Sequence, residues 1–170
     1  MIESRSRVLV AGFEQEIVAL MPRLRRFAAG LCRDRDAGDD LCQTTLERAL
    51  LNRHQWQADT RLDSWMYRIM RNIWIDQHRS NARRPETAYT DDMADRWGAA
   101  GAQEASVELS MVDRAMQQLV PEQREAVMLV LVEGFGYNEA ADIIGCPPGT
   151  LTSRLLRGRD RLQQLLGEAA

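Results

Sequence analysis

The sequence predicts an all-α protein, built as two small helical domains joined by an acidic, flexible linker. Apolar residues recur at spacings of three and four through most of the chain, the period of one helix face. No stretch alternates strictly enough to make a strand. A single break, rich in Gly, Pro and acids, divides the periodic segments into two groups. At 170 residues, with 45% hydrophobic and 28% charged side chains, the composition is globular. Each half alone is close to the lower size limit for a stable core.

Phe13, Ile17, Leu20, Leu24, Phe27 and Leu31 form the first apolar stripe, over 13–31, with Pro22 expected to weaken or kink it. Leu41, Thr45, Leu46 and Leu50 repeat the pattern over 37–51, with Asp36 ahead of it as the expected N-cap. A third periodic segment runs from Leu62 to about Ala82. Between Arg84 and Ser106 the pattern stops: Pro85, Gly98 and Gly101 punctuate a run of small residues and acids. Periodicity resumes over 107–119, over 121–133 with Pro121 placed for a first turn, over 138–144 and over 148–166. The domain boundaries read as 1–84, 85–106 and 107–170.

The net charge of −3 argues against a nucleic-acid partner only if it is spread evenly, and it is not. Residues 1–84 carry 15 Arg against 11 acids, 85–112 one Arg against six acids, and 113–170 six Arg against eight. All 22 cationic residues are Arg, which fits a GC-rich coding bias, yet at a contact the guanidinium fork grips phosphate or a guanine edge as Lys cannot. The three cysteines, Cys32, Cys42 and Cys146, are odd in number and lack C-x-x-C spacing, so they read as reduced thiols rather than a disulfide framework or zinc site. No apolar run is long enough to span a bilayer, and the chain start is not a secretory leader; a cytoplasmic protein without membrane insertion is expected. Nucleophile motifs, phosphate loops and metal clusters are missing, so neither an enzyme, a small-molecule substrate nor a cofactor is expected.

Near the C-terminus, a short helix with Ala140, Ala141, Ile143 and Ile144 ends at Gly145, suited to a left-handed cap. Cys146 and Pro147 make a tight turn, and Pro148 opens a longer helix with two stripes. Leu151, Leu155, Leu162 and Leu165 anchor it; Thr150, Ser153, Arg154, Arg157 and Arg161 face outward. Short helix, turn and basic helix in that order read as a helix-turn-helix whose second helix enters a DNA major groove. In the N-terminal half, Arg68, Asn72, Arg79 and Arg83 line up at helical spacing opposite Met66, Ile69, Met70 and Ile73, with Arg71, His78 and Arg84 nearby. Such a basic face suits single-stranded DNA. Trp65, Tyr67 and Trp74 read first as core, with base stacking as the alternative.

Leu119-Val-Pro-Glu-Gln-Arg-Glu-Ala-Val, Glu133-Gly-Phe-Gly-Tyr-Asn-Glu-Ala-Ala-Asp-Ile-Ile-Gly and Pro148-Gly-Thr-Leu-Thr-Ser-Arg-Leu together resemble region 4 of extracytoplasmic-function (ECF) sigma factors of the sigma-70 family. Asp39-Asp-Leu-Cys-Gln-Thr-Thr-Leu-Glu-Arg-Ala resembles the region 2 segment that docks on the polymerase clamp. Arg61-Leu-Asp-Ser-Trp-Met-Tyr-Arg-Ile-Met-Arg-Asn-Ile-Trp-Ile-Asp resembles the segment that melts and reads the minus-ten element. The resemblance covers about residues 13–83 and 112–166 in the family's order; Gly136 departs from the usual Ser or Thr, and the Pro147-Pro148 pair is stiffer than usual.

The resemblance implies a factor that binds the clamp and flap of core RNA polymerase, directs it to promoter DNA and is held in check by an anti-sigma factor. It implies polymerase docking through Asp39, Asp40, Leu41, Gln43 and Arg48. For the minus-ten element it implies contacts by Arg68, Arg71, Asn72, His78, Arg79 and Arg83, with Asn72 the base contact, and for the minus-thirty-five element Thr150, Ser153, Arg154, Arg157 and Arg161. The acidic linker is expected to be either a solvated spacer or a stand-in for nucleic acid in a polymerase channel. The competing reading is a sigma-like decoy that sequesters an anti-sigma factor without touching a promoter; the retained Arg faces favour the working factor.

Overall fold

A computed structural model describes residues 2–57, 59–82 and 105–167. The elements are α1 (Ile2–Cys32), α2 (Arg35–Leu51), a 3-10 turn (Arg53–Gln55), α3 (Leu62–Ala82), α4 (Ala105–Gln117), α5 (Pro121–Val127), a π-helical turn (Met128–Val132), α6 (Tyr137–Ile144) and α7 (Pro148–Gly167). Among the described residues there is no strand.

Helices α1, α2 and α3 pack on one another as the first module, and α4, α5 and α6 gather round α7 as the second. Leu24, Phe27, Leu31, Leu41, Met66 and Met70 fill the first core; Leu119, Leu129, Ile143 and Leu151 fill the second. The predicted stripes supply most of these buried residues; Leu50 is an exception, 47% exposed, with Ala49 buried in its place. Where α2 crosses α1, Gly38 brings the backbones so close that a Cβ there would lie 2.7 Å from the Cα of Ala29. Gly158 plays the same part between α7 and α5, where a Cβ would lie 2.8 Å from a methyl of Val127.

Several helix limits differ from the sequence reading. Helix α1 runs unbroken through Pro22, whose exposed position on the helix leaves its ring clear of the core. The N-cap of α2 is Asp34, not Asp36: the extended backbone of Asp34 (φ −146°, ψ 137°) lets its carboxylate accept from the Ala37 N–H at 2.7 Å. Asp36 lies inside the first turn, where it complements the helix dipole. Helix α4 begins at Ala105, two residues inside the expected linker 85–106, most of which lies outside the described residues.

The two modules are in contact. Their buried residues form one continuous apolar cluster, and α1 and α3 of the first touch α5 and α6 of the second. The rings of Phe27, Tyr67 and Phe135 make an edge-to-face ladder across the boundary, with centroid spacings of 4.8 and 5.1 Å. Two arginines add to the join: Arg33, in left-handed conformation (φ 57°) just past α1, donates to the Leu119 carbonyl at 2.9 Å, and buried Arg124 reaches the Leu31 carbonyl at 3.4 Å.

Candidate nucleic-acid interface

Helix α3 presents the first candidate surface. Met66, Tyr67, Met70, Ile73 and Trp74 are buried, which turns Arg68, Asn72 and Arg79 to solvent at positions that share a helix face. None of the three has an ion-pair partner among the described residues. His78 is exposed as well, but its ring lies 4.4 Å from that of Trp74 and its Nδ1 contacts the Trp74 carbonyl, so it is tied to the helix. Arg83 lies outside the described residues. Tyr67 and Trp74 are core residues, and Trp65 is half-buried with its ring 6.4 Å from Phe13.

Arg71, expected among the minus-ten contacts, is not free in this structure. Its side chain is only 17% exposed and pairs through Nε with Glu125 of α5. Glu125 is itself buried: burial pushes its carboxyl up, against the opposing charge of Arg71 and the more distant charge of Arg154. Arg71 is thus engaged by the second module, an arrangement with no signature in the α3 sequence alone.

Three further acids extend this cover. Glu133 has a side chain with no exposure and takes four donors at once. Arg23 Nε reaches Oε2 at 3.0 Å, Arg26 Nε and Nη2 reach Oε1 at 3.0 and 2.8 Å, and the Tyr67 hydroxyl donates to Oε2 at 2.6 Å. The π-helical turn places it there: the Glu133 N–H bonds the Met128 carbonyl at 2.8 Å, and Gly134 (φ 76°) then reverses the chain so that Phe135 joins the ring ladder. Glu139 of α6 accepts from Arg61 at 3.0 Å and from the Ser64 hydroxyl at 3.4 Å. Beside it, a cleft of about 380 Å³ has Arg61, Trp65 and Arg68 on one wall and Glu139 and Asp142 on the other. Glu133, Arg23 and Arg26 did not stand out in the sequence because a lone Glu and surface-spaced Arg residues read as solvated; the Gly residues flanking Phe135 were the available signal.

The second candidate surface is the helix-turn-helix. Gly145 takes the left-handed conformation (φ 71°, ψ 42°), and its N–H and that of Cys146 both bond the Ala141 carbonyl, closing α6. Gly136 at the start of α6 makes no side-chain cap. The Pro147 carbonyl accepts from Thr150 N–H at 2.9 Å and so turns the chain into α7. Leu151 and Leu155 are buried, while Thr150, Ser153, Arg157 and Arg161 are exposed on the outer side. Arg154 is half-buried, and its charge is felt by Glu125 of α5.

On α2, Asp39, Asp40, Gln43 and Arg48 are exposed. Leu41 is not part of that surface: it is 1% exposed, packed in the first core, and the expectation that it faces a partner is corrected. Its role there is to hold the helix that displays its neighbours. All three cysteines are free; burial, with Asp34 nearby, pushes the Cys32 thiol up to about 11, which keeps it protonated. Among the described residues, no group of metal-ligating side chains gathers and no helix is long and apolar enough to cross a membrane.

Comparison with known proteins places each module. Residues 17–71 match the family model for the sigma2 domain of PhyR, and residues 109–162 match that for sigma-70 region 4. The chain is 37% identical over 161 residues to the ECF RNA polymerase sigma factor EcfG of Rhodopseudomonas palustris, covering 93% of this chain and 87% of that protein. It is 32% identical to the RNA polymerase sigma factor CarQ of Myxococcus xanthus, covering 92% and 90%. In structure it is similar to the sigma factor RpoE from Bartonella quintana, solved in complex with the anti-sigma factor NepR, with a TM-score of 0.78, 34% identity and coverage of 92% and 97%.

Proposed function

The chain belongs to the ECF sigma factors of the sigma-70 family, and from that premise we propose that it binds core RNA polymerase and carries it to promoters with two recognition elements. The observation that carries this reading is the α6–turn–α7 geometry: a left-handed Gly145 cap, a tight turn, and a helix held by Leu151 and Leu155 that shows Thr150, Ser153, Arg157 and Arg161 to solvent. Lodged in a major groove, the N-terminal part of α7 meets base edges while the later arginines meet phosphate.

Region 2, residues 1–84, supplies the second contact. Asn72 is the base-reading residue of the minus-ten element, with Arg68, Arg71, His78, Arg79 and Arg83 around it on the phosphates and unpaired bases. Opening a duplex costs about 1.4 kcal/mol per stacked step. With no nucleotide hydrolysis to draw on, that cost is met by captured bases and by contacts with the polymerase. Asp39, Asp40, Gln43 and Arg48 dock on the clamp, region 4 docks on the flap, and the acidic linker crosses between them. The similarity to a sigma factor solved with its anti-sigma factor supports an anti-sigma factor as a further partner, and a factor that works with polymerase on the chromosome acts in the cytoplasm.

The test is run-off transcription on a promoter library, with core polymerase alone and with the protein added. Protein-dependent starts sharing a two-element motif are expected. Silence, with stable binding of an anti-sigma factor but not of core polymerase, would replace the working factor with a decoy.

A further inference from the structure

Helix α7 carries a single exposed large apolar side chain among the described residues, that of Leu156. At about 100° of rotation per residue, Leu151, Leu155 and Gly158 fall together on the buried side of α7, and Ser153 falls opposite them with Leu156 and Arg157 flanking it. Leu156 is 53% exposed and takes no part in the apolar cluster that Leu155, its neighbour in sequence, helps to form. It stands on the face that shows Ser153 and Arg157 to solvent, where only a partner of that face can cover it.

The hydroxyls beside it have a fixed polarity. Ser153 donates to the Gly149 carbonyl at 2.9 Å, and Thr152 to the Pro148 carbonyl at 2.9 Å. A hydroxyl has one proton and two lone pairs, so with the proton given to the helix only acceptor capacity is left for a partner. The centre of the face therefore offers an acceptor next to an apolar group. In the major groove an A·T pair displays the complement of both, the N6 amino donor of adenine and the 5-methyl group of thymine; a G·C pair has an amino donor on cytosine but no methyl. Residues at i and i+3 of a helix stand about 5–6 Å apart at Cβ, close enough for both to bear on the same pair.

We propose that Leu156 and Ser153 together read one A·T pair of the minus-thirty-five element, Leu156 covering the thymine methyl and Ser153 accepting from adenine N6. This rests on the reading that α7 lies in a promoter major groove, and it adds to the polar stripe an apolar residue with a base preference of its own.

The test uses the full chain bound to core polymerase and a promoter duplex recovered by run-off selection. Each thymine of its minus-thirty-five element, on either strand, is replaced in turn by deoxyuridine, which pairs as thymine does and lacks only the methyl. Each adenine is replaced in turn by purine, which lacks only the N6 amino group. Binding is compared for the parent, Leu156→Ala, Leu156→Met and Ser153→Ala; any weakening of the duplex itself is common to all of them and cancels. In the parent, deoxyuridine at one position should weaken binding about fourfold, the effect of one methyl group left in water. Purine at the adenine paired with it should weaken binding about fivefold, the effect of one lost hydrogen bond. Leu156→Ala should become insensitive to that deoxyuridine and stay sensitive to the purine, and Ser153→Ala should do the reverse. Leu156→Met keeps an apolar side chain and should discriminate as the parent does.

A Leu156→Ala protein as sensitive to deoxyuridine as the parent would overturn the proposal. So would a parent indifferent to the methyl at every thymine, or methyl and amino sensitivities that fall in different base pairs. If the duplex is bound and only these substitutions are silent, the proposal falls alone and α7 keeps its place in the groove. If no promoter duplex is bound at all, the proposal and the reading of α7 fall together.

Discussion

The Tyr67 hydroxyl donates to Glu133 Oε2 at 2.6 Å, joining a residue of α3 to the residue that ends the π-helical turn 66 positions later. Both side chains are buried, and the phenol is pushed well above its usual range by burial and by the neighbouring carboxylate. The bond therefore holds with the phenol as donor at any pH the folded protein meets. Tyr67→Phe keeps the rings of Phe27 and Phe135 in contact and deletes only the donor. Glu133 keeps Arg23 and Arg26, so the loss should be moderate, about 1–3 kcal/mol for a buried acceptor short of one partner. Urea unfolding reads it directly, and an unchanged midpoint would mean that a water replaces the hydroxyl.

Glu133→Ala should cost more, because Arg23 and Arg26, neighbours on α1, then lose the carboxylate they share and only Arg23 keeps an acid, Asp63 at 3.5 Å. Removing one partner of a buried pair costs about 3–5 kcal/mol, and the partial exposure of Arg23 and Arg26, 32% and 52%, places this case at or below the lower end. The loss should appear as separation of the modules before either unfolds. A two-step urea transition, or expansion at low urea, is expected; a single transition with an unchanged midpoint would contradict it.

The helices and their buried faces were legible in the sequence because both follow from local spacing: Leu24, Phe27 and Leu31, or Leu151 and Leu155, repeat at three and four and are buried. Gly145 was legible too, since a left-handed cap has a residue type of its own. The contact between modules was not. Glu133 and Arg23 lie 110 residues apart, and a charged side chain carries no local mark that distinguishes a buried pair from a solvated one. Leu41 misled in the opposite way, as the apolar member of a surface motif whose neighbours alone are exposed. Gly38 and Gly158 were missed although a glycine inside an amphipathic helix signals a close approach, here of α2 to α1 and of α7 to α5.

That close approach makes Gly38→Ala a sharp test of the first module. In an open helix the change would stabilise by about 0.8–1 kcal/mol through propensity. Here the new methyl meets the backbone of Ala29, which cannot step aside as a flexible side chain would. Overpacking of about 1–3 kcal/mol should outweigh the propensity gain. A lowered thermal midpoint is expected, and a raised one would mean that α1 and α2 can separate at no cost.

Two carboxyls give stability opposite pH dependences. Burial alone would raise Asp63, but the hydrogen bonds from Arg61 and the Ser64 N–H, with the charges of Arg61 and Arg23, hold it below its ordinary 3.8. Its contribution is therefore present above about pH 4 and is lost as pH falls through the folded value. Glu125 is raised above 4.5 by burial, so its ionised form disfavours the folded state at neutral pH and that penalty fades as pH falls toward 4.5. Glu125→Gln should flatten the stability profile from about pH 4.5 upward, and Asp63→Asn should flatten it below about pH 4 while lowering stability at neutral pH. Urea midpoints across pH measure both, and a Glu125→Gln profile parallel to the parent would refute the first.

The outward face of α7 separates its arginines by role. Arg157 and Arg161 are exposed and free of ion pairs among the described residues, whereas Arg154 is half-buried with its charge directed in part at Glu125. An arginine that reads a guanine edge should lose about 1–3 kcal/mol on its own sequence when cut to Ala, and nothing on sequences lacking that base. One that holds phosphate should weaken all sequences alike and lower the salt slope by about one. Arg161→Ala, roughly three and a half turns beyond the N-terminal end of α7, should behave in the second way, since the helix leaves the groove floor as it proceeds. Arg157→Ala should weaken binding more than Arg154→Ala, because Arg157 is exposed on the outer side of α7 and Arg154 is half-buried. Affinities of the three variants for matched and scrambled minus-thirty-five duplexes at two salt concentrations distinguish these cases; a larger loss for Arg154→Ala would mean that the half-buried side of α7, and not its outer side, meets the groove.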